Sequence, residues 1–206
     1  MKVFMFAPVL RSGSFNKKLI RIAHSIIKDH PEIEAELCEF NEFPMPMYDG
    51  DLETEKGIPE GIQKLAKKIK ETDAIIISSP EYNGSIPGTF KNTIDWLSRI
   101  HPVPLAGKQI LTMGASTGQF AAIKGNFHLR VPFHVLNAFV YPEYFGVAFA
   151  EAAFDDKDQL KDIKQLERLR RIIGEFLHYA SRKETPFDRL EEFLEGQTQP
   201  PLQPDL

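Results

Sequence analysis

The 206-residue sequence contains a single cysteine, Cys38, and lacks any long uninterrupted run of apolar residues. One cysteine excludes an internal disulfide and a cysteine-based zinc site, so a reducing cytoplasm is the expected location. A bilayer crossing takes about 20 apolar residues, and residues 1–18 lack the small-residue cleavage site of a secretory leader. We therefore expect neither a membrane partner nor secretion.

A large excess of charge of either sign is also missing. The chain has 25 Lys and Arg against 29 Asp and Glu, a formal net charge of −4, and 42% hydrophobic residues. This balance excludes disorder as the main state and disfavours nucleic acid as the main partner. The six histidines show no metal-ligand spacing, so we expect no metal site.

Short apolar runs alternate along the chain with amphipathic segments. Strands are predicted over 2–7, 34–40, 74–78, 108–114 and 138–141. Helices are predicted over 16–30, 58–71, 89–100, 116–136, with an irregularity at Pro132, and 158–182. A loop is expected around Pro44, Pro46 and Gly50.

Regular alternation of strands and helices indicates a parallel sheet covered by helices on both faces. Five strands in one domain favour a flavodoxin-like three-layer α/β sandwich with strand order 2-1-3-4-5. We expect this domain to span residues 1–185 and a partly loose, proline-rich tail to occupy residues 186–206.

Ligands of such a sheet bind beyond the carboxyl ends of the strands, which brings loops 8–16, 79–88 and 114–122 together. The sequence has neither G-x-G-x-x-G after a strand nor G-x-x-x-x-G-K-[ST], so the common dinucleotide and P-loop phosphate cradles are excluded. The first loop instead offers Arg11, Ser14 and Asn16 directly before a helix. These groups suit a phosphate monoester at a helix N-terminus, although this loop taken alone favours a simple helix cap at Ser14 or Asn16.

The second loop, PEYNGSIPG over 80–88, is longer than a simple connection requires. Asn83 and Gly84 can expose backbone groups along the edge of a flat heterocycle, with Gly84 expected at positive φ, and Tyr82 supplies an aromatic wall. The third loop, GASTGQFAA, adds a small, hydroxyl-rich edge.

At these residues the chain resembles the NADPH-dependent FMN reductase family over roughly residues 2–182. The segment SPEYNGSIPGTFKNTIDWLSR (79–99) is similar to the family block P-E-Y-N-x-S-x-P-G-x-L-K-N-x-I-D-W nearly residue for residue. The first-loop pattern is matched at Arg11, Ser14 and Asn16 but departs from Ser-Gly-Ser at 7–9. The third-loop pattern is matched at Ser116 and Gly118, and alanines replace its paired glycines at 121 and 122.

The resemblance implies bound FMN, with NADPH or NADH as co-substrate and no catalytic side chain, because the flavin carries the chemistry. It implies that Arg11, Ser14 and Asn16 hold the phosphate. Residues implied to line the ring system are Pro80, Glu81, Tyr82, Asn83 and Gly84 on one side, with Ser116 and Gly118 at the other edge. The departure at Ala7, Pro8 and Val9 predicts weakened phosphate binding.

The expected function is an FMN-dependent NAD(P)H oxidoreductase whose small-molecule acceptor is a quinone, an azo compound, a metal oxyanion or free flavin. A flavodoxin-type electron carrier and a flavin-poor binding scaffold remain as alternatives. A homodimer or homotetramer is expected, since residues 120–154 hold seven phenylalanines, more than a small sheet protein buries alone. Cys38, the Lys91–Asp95 pair and Trp96 are interpreted as structural, and Glu81 as a residue that orients the loop or the flavin.

Overall fold

The computed structural model describes residues 1–181, and in this part of the chain a parallel sheet lies between two layers of helices. The strands are β1 (Lys2–Ala7), β2 (Glu34–Glu39), β3 (Ala74–Ser78), β4 (Gln109–Ala115), β5 (Phe139–Val140) and β6 (Phe145–Val147). The helices are α1 (Phe15–Ile27), α2 (Gly50–Lys56), α3 (Glu60–Lys70), α4 (Gly88–Leu97), α5 (Ile123–Val135), α6 (Ala150–Ala153) and α7 (Ile163–Ala180). The predicted tail over 186–206 lies outside the described residues.

The strand order is β2-β1-β3-β4-β5, which confirms the predicted topology, but the sheet has a sixth strand. β5 pairs with β4 at Gln109 and Ile110, and β6 pairs with the same side of β4 at 113–115. The predicted strand over 138–141 is therefore only the first half of an interrupted edge strand. Pro142, which has no amide N–H to donate, lies in the interruption.

Side chains that alternate along β1 supply two separate cores. Val3 and Met5 pack in the core that α1 and α7 cover, whereas Phe4 and Phe6 pack in the core beneath α3, α4 and α5. Burial on both faces explains why β1 and β3 are almost continuously apolar instead of alternating with polar residues. No helix among the described residues is long and apolar enough to cross a membrane.

Two helices, α2 and the four-residue α6, were not predicted, and two others, α5 and α7, begin later than predicted. α2 lies where a loop was expected; Asp49 caps it by accepting the amide N–H of Asp51 at 2.9 Å, but the helix buries none of its residues and so lacks an apolar repeat. α5 begins at Ile123 instead of 116, because Ala121 and Ala122 adopt left-handed conformations (φ 53° and 63°). α7 starts at Ile163, after a cap at Asp162.

Side chains of α4 hold the segment 44–48, which comes after β2 in the chain, by hydrogen bonds. The amide Nδ2 of Asn92 and the indole Nε1 of Trp96 both donate to the carbonyl of Pro46 at 2.9 Å. Asn92 Oδ1 also accepts the amide N–H of Tyr48 at 2.7 Å. Trp96 is fully buried, as its interpretation as a packing anchor requires, and its hydrogen bond adds a directional role that the sequence did not reveal.

Substitution of two glycines by alanine should change the free energy of unfolding in opposite directions. Gly174 is exposed inside α7 with no other atom near an added Cβ, so Gly174→Ala should raise the free energy of unfolding by about 0.5–1 kcal/mol. At Gly114 an added Cβ would lie 2.6 Å from Tyr144 Oη and 2.9 Å from the Ser79 carbonyl, so Gly114→Ala should lower it by about 1–3 kcal/mol. Urea unfolding followed by circular dichroism measures both, and equal effects would contradict the described packing.

Candidate functional site

Three loops leave the sheet side by side at its carboxyl edge. β3 lies between β1 and β4, with Phe6 opposite Ile77 and Ser78 opposite Met113. The segments 8–14, 79–87 and 116–122 follow these three strands, so the sheet brings the predicted loops together.

Asn16, in the first turn of α1, connects these strand ends. Its Oδ1 accepts the amide N–H of Ala115 and the hydroxyl of Ser78, both at 2.9 Å. Its Nδ2 donates to the Ala115 carbonyl, also at 2.9 Å. The side chain is buried, with 2% of the residue exposed, and these three hydrogen bonds all go to protein atoms.

The first loop combines a helix cap with an exposed cation. Ser14 Oγ accepts the amide N–H of Asn16 at 3.2 Å, which confirms the capping interpretation. The exposed Arg11 guanidinium donates to the Gly13 carbonyl at 3.0 Å and so lies over the turn that precedes α1. Ala7 and Val9 are buried, and the Val9 amide N–H donates to the Ala7 carbonyl at 2.7 Å, so this stretch adds no free donor.

The second loop is a tight two-residue hairpin. Tyr82 and Ser85 exchange both backbone hydrogen bonds, at 3.1 and 3.0 Å, and Asn83 (φ 51°) and Gly84 (φ 73°) form the turn between them. Two positive φ angles define a type I′ turn, and the expected positive φ at Gly84 is confirmed. Within residues 1–181 the backbone N–H groups of Asn83 and Gly84 donate no hydrogen bond. Tyr82 is 54% exposed beside them.

Glu81 holds this hairpin against α5. The residue before α5, Ala122, has no side chain that can cap a helix, and Glu81 Oε2 instead accepts the amide N–H of Gly125 at 3.0 Å. A Cβ at Gly125 would lie 2.8 Å from the Ser85 carbonyl, so the contact needs glycine. Pro80 is buried, which leaves Tyr82 and the turn residues as the accessible part of the loop.

The third loop replaces the expected glycine pair with alanines but keeps a left-handed backbone. The Tyr144 hydroxyl donates to the Ala121 carbonyl, and Asn126 Nδ2 donates to the Ala122 carbonyl at 2.9 Å. Burial raises the pKa of Tyr144 far above its usual value, so the hydroxyl remains a donor. Ser116 Oγ accepts the amide N–H of Gly118 at 3.2 Å at the start of the loop.

The remaining candidates are structural, as expected. Cys38 is buried, and burial together with the nearby Glu36 carboxylate raises the pKa of its thiol to about 11, so the thiol stays protonated. Lys91 and Asp95 form an ion pair at 2.6 Å along α4. The described residues contain no group of three or more His, Cys, Asp or Glu side chains placed to hold a metal ion.

The family model for NADPH-dependent FMN reductases matches residues 1–152, well over half of the chain. The chain belongs to the NADPH-dependent FMN reductase family. Membership confirms the resemblance drawn from the loop motifs and makes the protein an FMN-dependent oxidoreductase that uses NAD(P)H. The electron-carrier and scaffold alternatives are thereby set aside.

Individual relatives support the same assignment. The chain is 35% identical to a quinone reductase of Escherichia coli (strain K12), over 84% of this chain and 92% of that protein. It is 32% identical to an NAD(P)H-dependent FMN reductase of Pseudomonas aeruginosa, with coverage of 84% and 91%. Among solved structures, a flavoenzyme NAD(P)H:(acceptor) oxidoreductase from Paracoccus denitrificans superposes with a TM-score of 0.73 at 26% identity, over 88% and 97% of the two chains.

The donors that the three loops present fit FMN. The first loop offers an exposed guanidinium, that of Arg11, and a helix N-terminus, both of which favour a phosphate. The second loop offers two amides that have no partner within residues 1–181, beside an exposed aromatic ring, which suits the polar edge of a flat ring system. The groups at this edge of the sheet therefore fit the FMN that this family uses.

Gly84→Val tests the type I′ turn. A β-branched residue is strongly disfavoured at a φ of 73°, so the turn should reshape and co-purified FMN should fall at least tenfold, while far-UV circular dichroism remains native. The matched control is Gly107→Val, which places the same residue at a φ of 74° in the turn before β4, remote from the site. Equal FMN loss in both variants would contradict a specific role for the 83–84 turn.

Proposed function

We propose that this FMN reductase passes electrons from NAD(P)H to a quinone. The observation that carries the proposal is the type I′ turn, whose free Asn83 and Gly84 amides lie beside the exposed ring of Tyr82. Quinone reductases of Escherichia coli and potato, 35% and 34% identical to the chain, support a quinone as the acceptor. Azo compounds, metal oxyanions and free flavin are the competing acceptors.

In this proposal each loop binds one part of FMN. Arg11, the Ser14 hydroxyl and the N-terminus of α1 bind the phosphate. The ring system rests on the second loop, where Glu81 holds the hairpin in place and the turn amides donate to the polar edge. Of the second loop, Tyr82, Asn83 and Gly84 are assigned to direct contact with the ring, while Glu81 and the buried Pro80 support them, and Ser116 and Gly118 lie at the opposite edge.

Bound FMN supplies the redox chemistry, accepting hydride from nicotinamide and delivering electrons to the acceptor. The chain's own task is to hold the ring and leave one face open. Tyr82 borders that open face, and its apolar ring favours a flat, largely apolar acceptor over a small anion. Nicotinamide and acceptor then occupy the same space in turn.

Steady-state NADPH and NADH oxidation by the FMN-loaded enzyme tests the acceptor. With p-benzoquinone we expect sustained turnover at least tenfold above the rate without acceptor, and above the rates with methyl red, chromate or free FMN. Tyr82→Ala should raise KM for the quinone more than KM for NAD(P)H. Turnover that is highest with an azo dye or chromate would contradict the quinone assignment, and a single reduction without turnover would indicate an electron carrier.

We also infer that the enzyme self-associates through α5. Of the seven phenylalanines between 120 and 154, four are exposed, namely Phe120, Phe127, Phe139 and Phe149. Ile123, Phe127, Val131 and Val135 repeat every four residues along α5 and are all exposed, so they form one apolar stripe. A continuous exposed stripe of this kind marks a contact surface, and a second copy fits because a homodimer pairs equal patches.

Val131→Glu tests this interface, since Val131 is 68% exposed at the middle of the stripe. The substitution should reduce the mass measured by light scattering at micromolar concentration to that of a monomer, because burying an unpaired carboxylate is costly. The matched control is Ile163→Glu, which changes an equally exposed apolar residue (70%) at the start of α7 and should leave the mass unchanged. A monomeric wild type would rule out the interface.

We also infer a cytoplasmic location. The chain's only cysteine is buried with a raised pKa, so its sulfur is protected from disulfide exchange and gives no sign of an oxidising compartment. The proposed partners are accordingly small molecules and a second copy of the chain.

A further inference from the structure

The carbonyl and amide of Ala115 lie where β3 and β4 separate. The last hydrogen bond between the end of β3 and β4 is donated by the Ser79 N–H to the Met113 carbonyl at 2.9 Å. From Pro80 onward the chain leaves the sheet. Successive residues of β4 direct their N–H and C=O groups to opposite neighbouring strands. Ser116 bonds to β6, so the N–H and C=O of Ala115 point to the other side, where β3 has already left the sheet. Without a partner these buried groups would destabilise the fold.

Asn16 fills that vacated position. Its side-chain amide bonds to both the N–H and the C=O of Ala115, as a neighbouring strand's peptides would, and its Oδ1 also accepts the Ser78 hydroxyl at the end of β3. Both lone pairs of Oδ1 are thus occupied. One of the two Nδ2 hydrogens is occupied as well, and only 2% of the residue is exposed, so little of the side chain is open to a ligand.

We propose that Asn16 is a positioning residue whose side chain sets the spacing between the ring-binding loop and the other two loops, and that this side chain makes no contact with the FMN phosphate. The proposal rests on the proposed function, because it assumes that the three loops bind flavin. It differs from the role that family resemblance implies for Asn16. Displacing the strand ends should disturb the ring site, so binding of any flavin should weaken, with or without a phosphate.

Comparison of FMN with riboflavin, which has the same ring system but no phosphate, separates the two roles. We expect Asn16→Asp, which is isosteric but faces the Ala115 carbonyl with an oxygen, to raise the dissociation constants of both flavins by the same factor, about tenfold. Ser78→Ala removes one of the three hydrogen bonds and should raise both constants less. Quenching of flavin fluorescence on titration of the apoprotein measures each constant.

Two control variants calibrate the comparison. Arg11→Ala removes the exposed cation of the first loop and should weaken FMN but not riboflavin. Thr72→Ala removes buried hydroxyl contacts to the carbonyls of Lys2 and Ala74, at the opposite end of β3. This variant should lower Tm and leave both dissociation constants unchanged, which distinguishes positioning from general stability.

The possible results lead to different conclusions. Weakened FMN with unchanged riboflavin in Asn16→Asp would assign Asn16 to the phosphate and overturn the proposal, as would unchanged affinity for both flavins in a folded variant. Should Asn16→Asp fail to fold, Ser78→Ala decides in the same way, since it keeps both bonds between Asn16 and Ala115. A wild-type chain that binds neither flavin would overturn the proposed function itself.

Discussion

The parallel pairing of β3 with both β1 and β4 is the constraint on which the rest of the structure depends. β3 is buried on both faces, and its isoleucines pack into the two cores on opposite sides of the sheet. Parallel neighbours must end at the same edge, and every loop that follows β1, β3 or β4 therefore starts there. The location of the site follows from the hydrogen bonds of the sheet before any ligand is considered.

Where these strands stop, buried peptide groups lose their partners, and polar side chains take over. Asn16 bonds to Ala115, Asn126 donates to the Ser79 carbonyl at 3.3 Å, and Glu81 accepts from the first turn of α5. Buried polar groups in proteins are nearly always hydrogen-bonded. Much of the polar character of this site is thus structural, and the donors left over, at the 83–84 turn and on Arg11, are those a ligand can use.

The parts predicted correctly from the sequence are those that depend on neighbouring residues. The buried run at 74–78 indicated β3, and Asn83-Gly84 indicated a turn with positive φ, because each pattern forces a local conformation. The bond between Asn16 and Ala115 spans 99 residues and that between Glu81 and Gly125 spans 44, so no local pattern reports them. Only the fold shows that the side chain of Asn16 bonds to backbone groups.

Three elements were missed, namely α2, β6 and the four-residue α6, and the reasons for α2 and β6 differ. α2 is held by its Asp49 cap without burying an apolar face, so the periodicity that reveals helices is missing, although the Asp-x-Asp sequence at 49–51 was a visible capping signal. β6 has three residues and follows an interruption, which is too short a segment for alternation to show. β6 is nonetheless well packed, since Phe145 and Val147 are fully buried in the core that α1 and α7 cover.

The left-handed alanines of the third loop limit how this region can change. A left-handed backbone costs an alanine about 1 kcal/mol and a β-branched residue more. Position 121 should therefore tolerate glycine and disfavour β-branched residues. A Cβ on Gly146 would lie 2.8 Å from the Cβ of Ala121. The same Cβ would also lie 2.7 Å from Cε1 of Tyr144 and 3.0 Å from the Ala121 carbonyl oxygen, so position 146 requires glycine even where 121 becomes glycine.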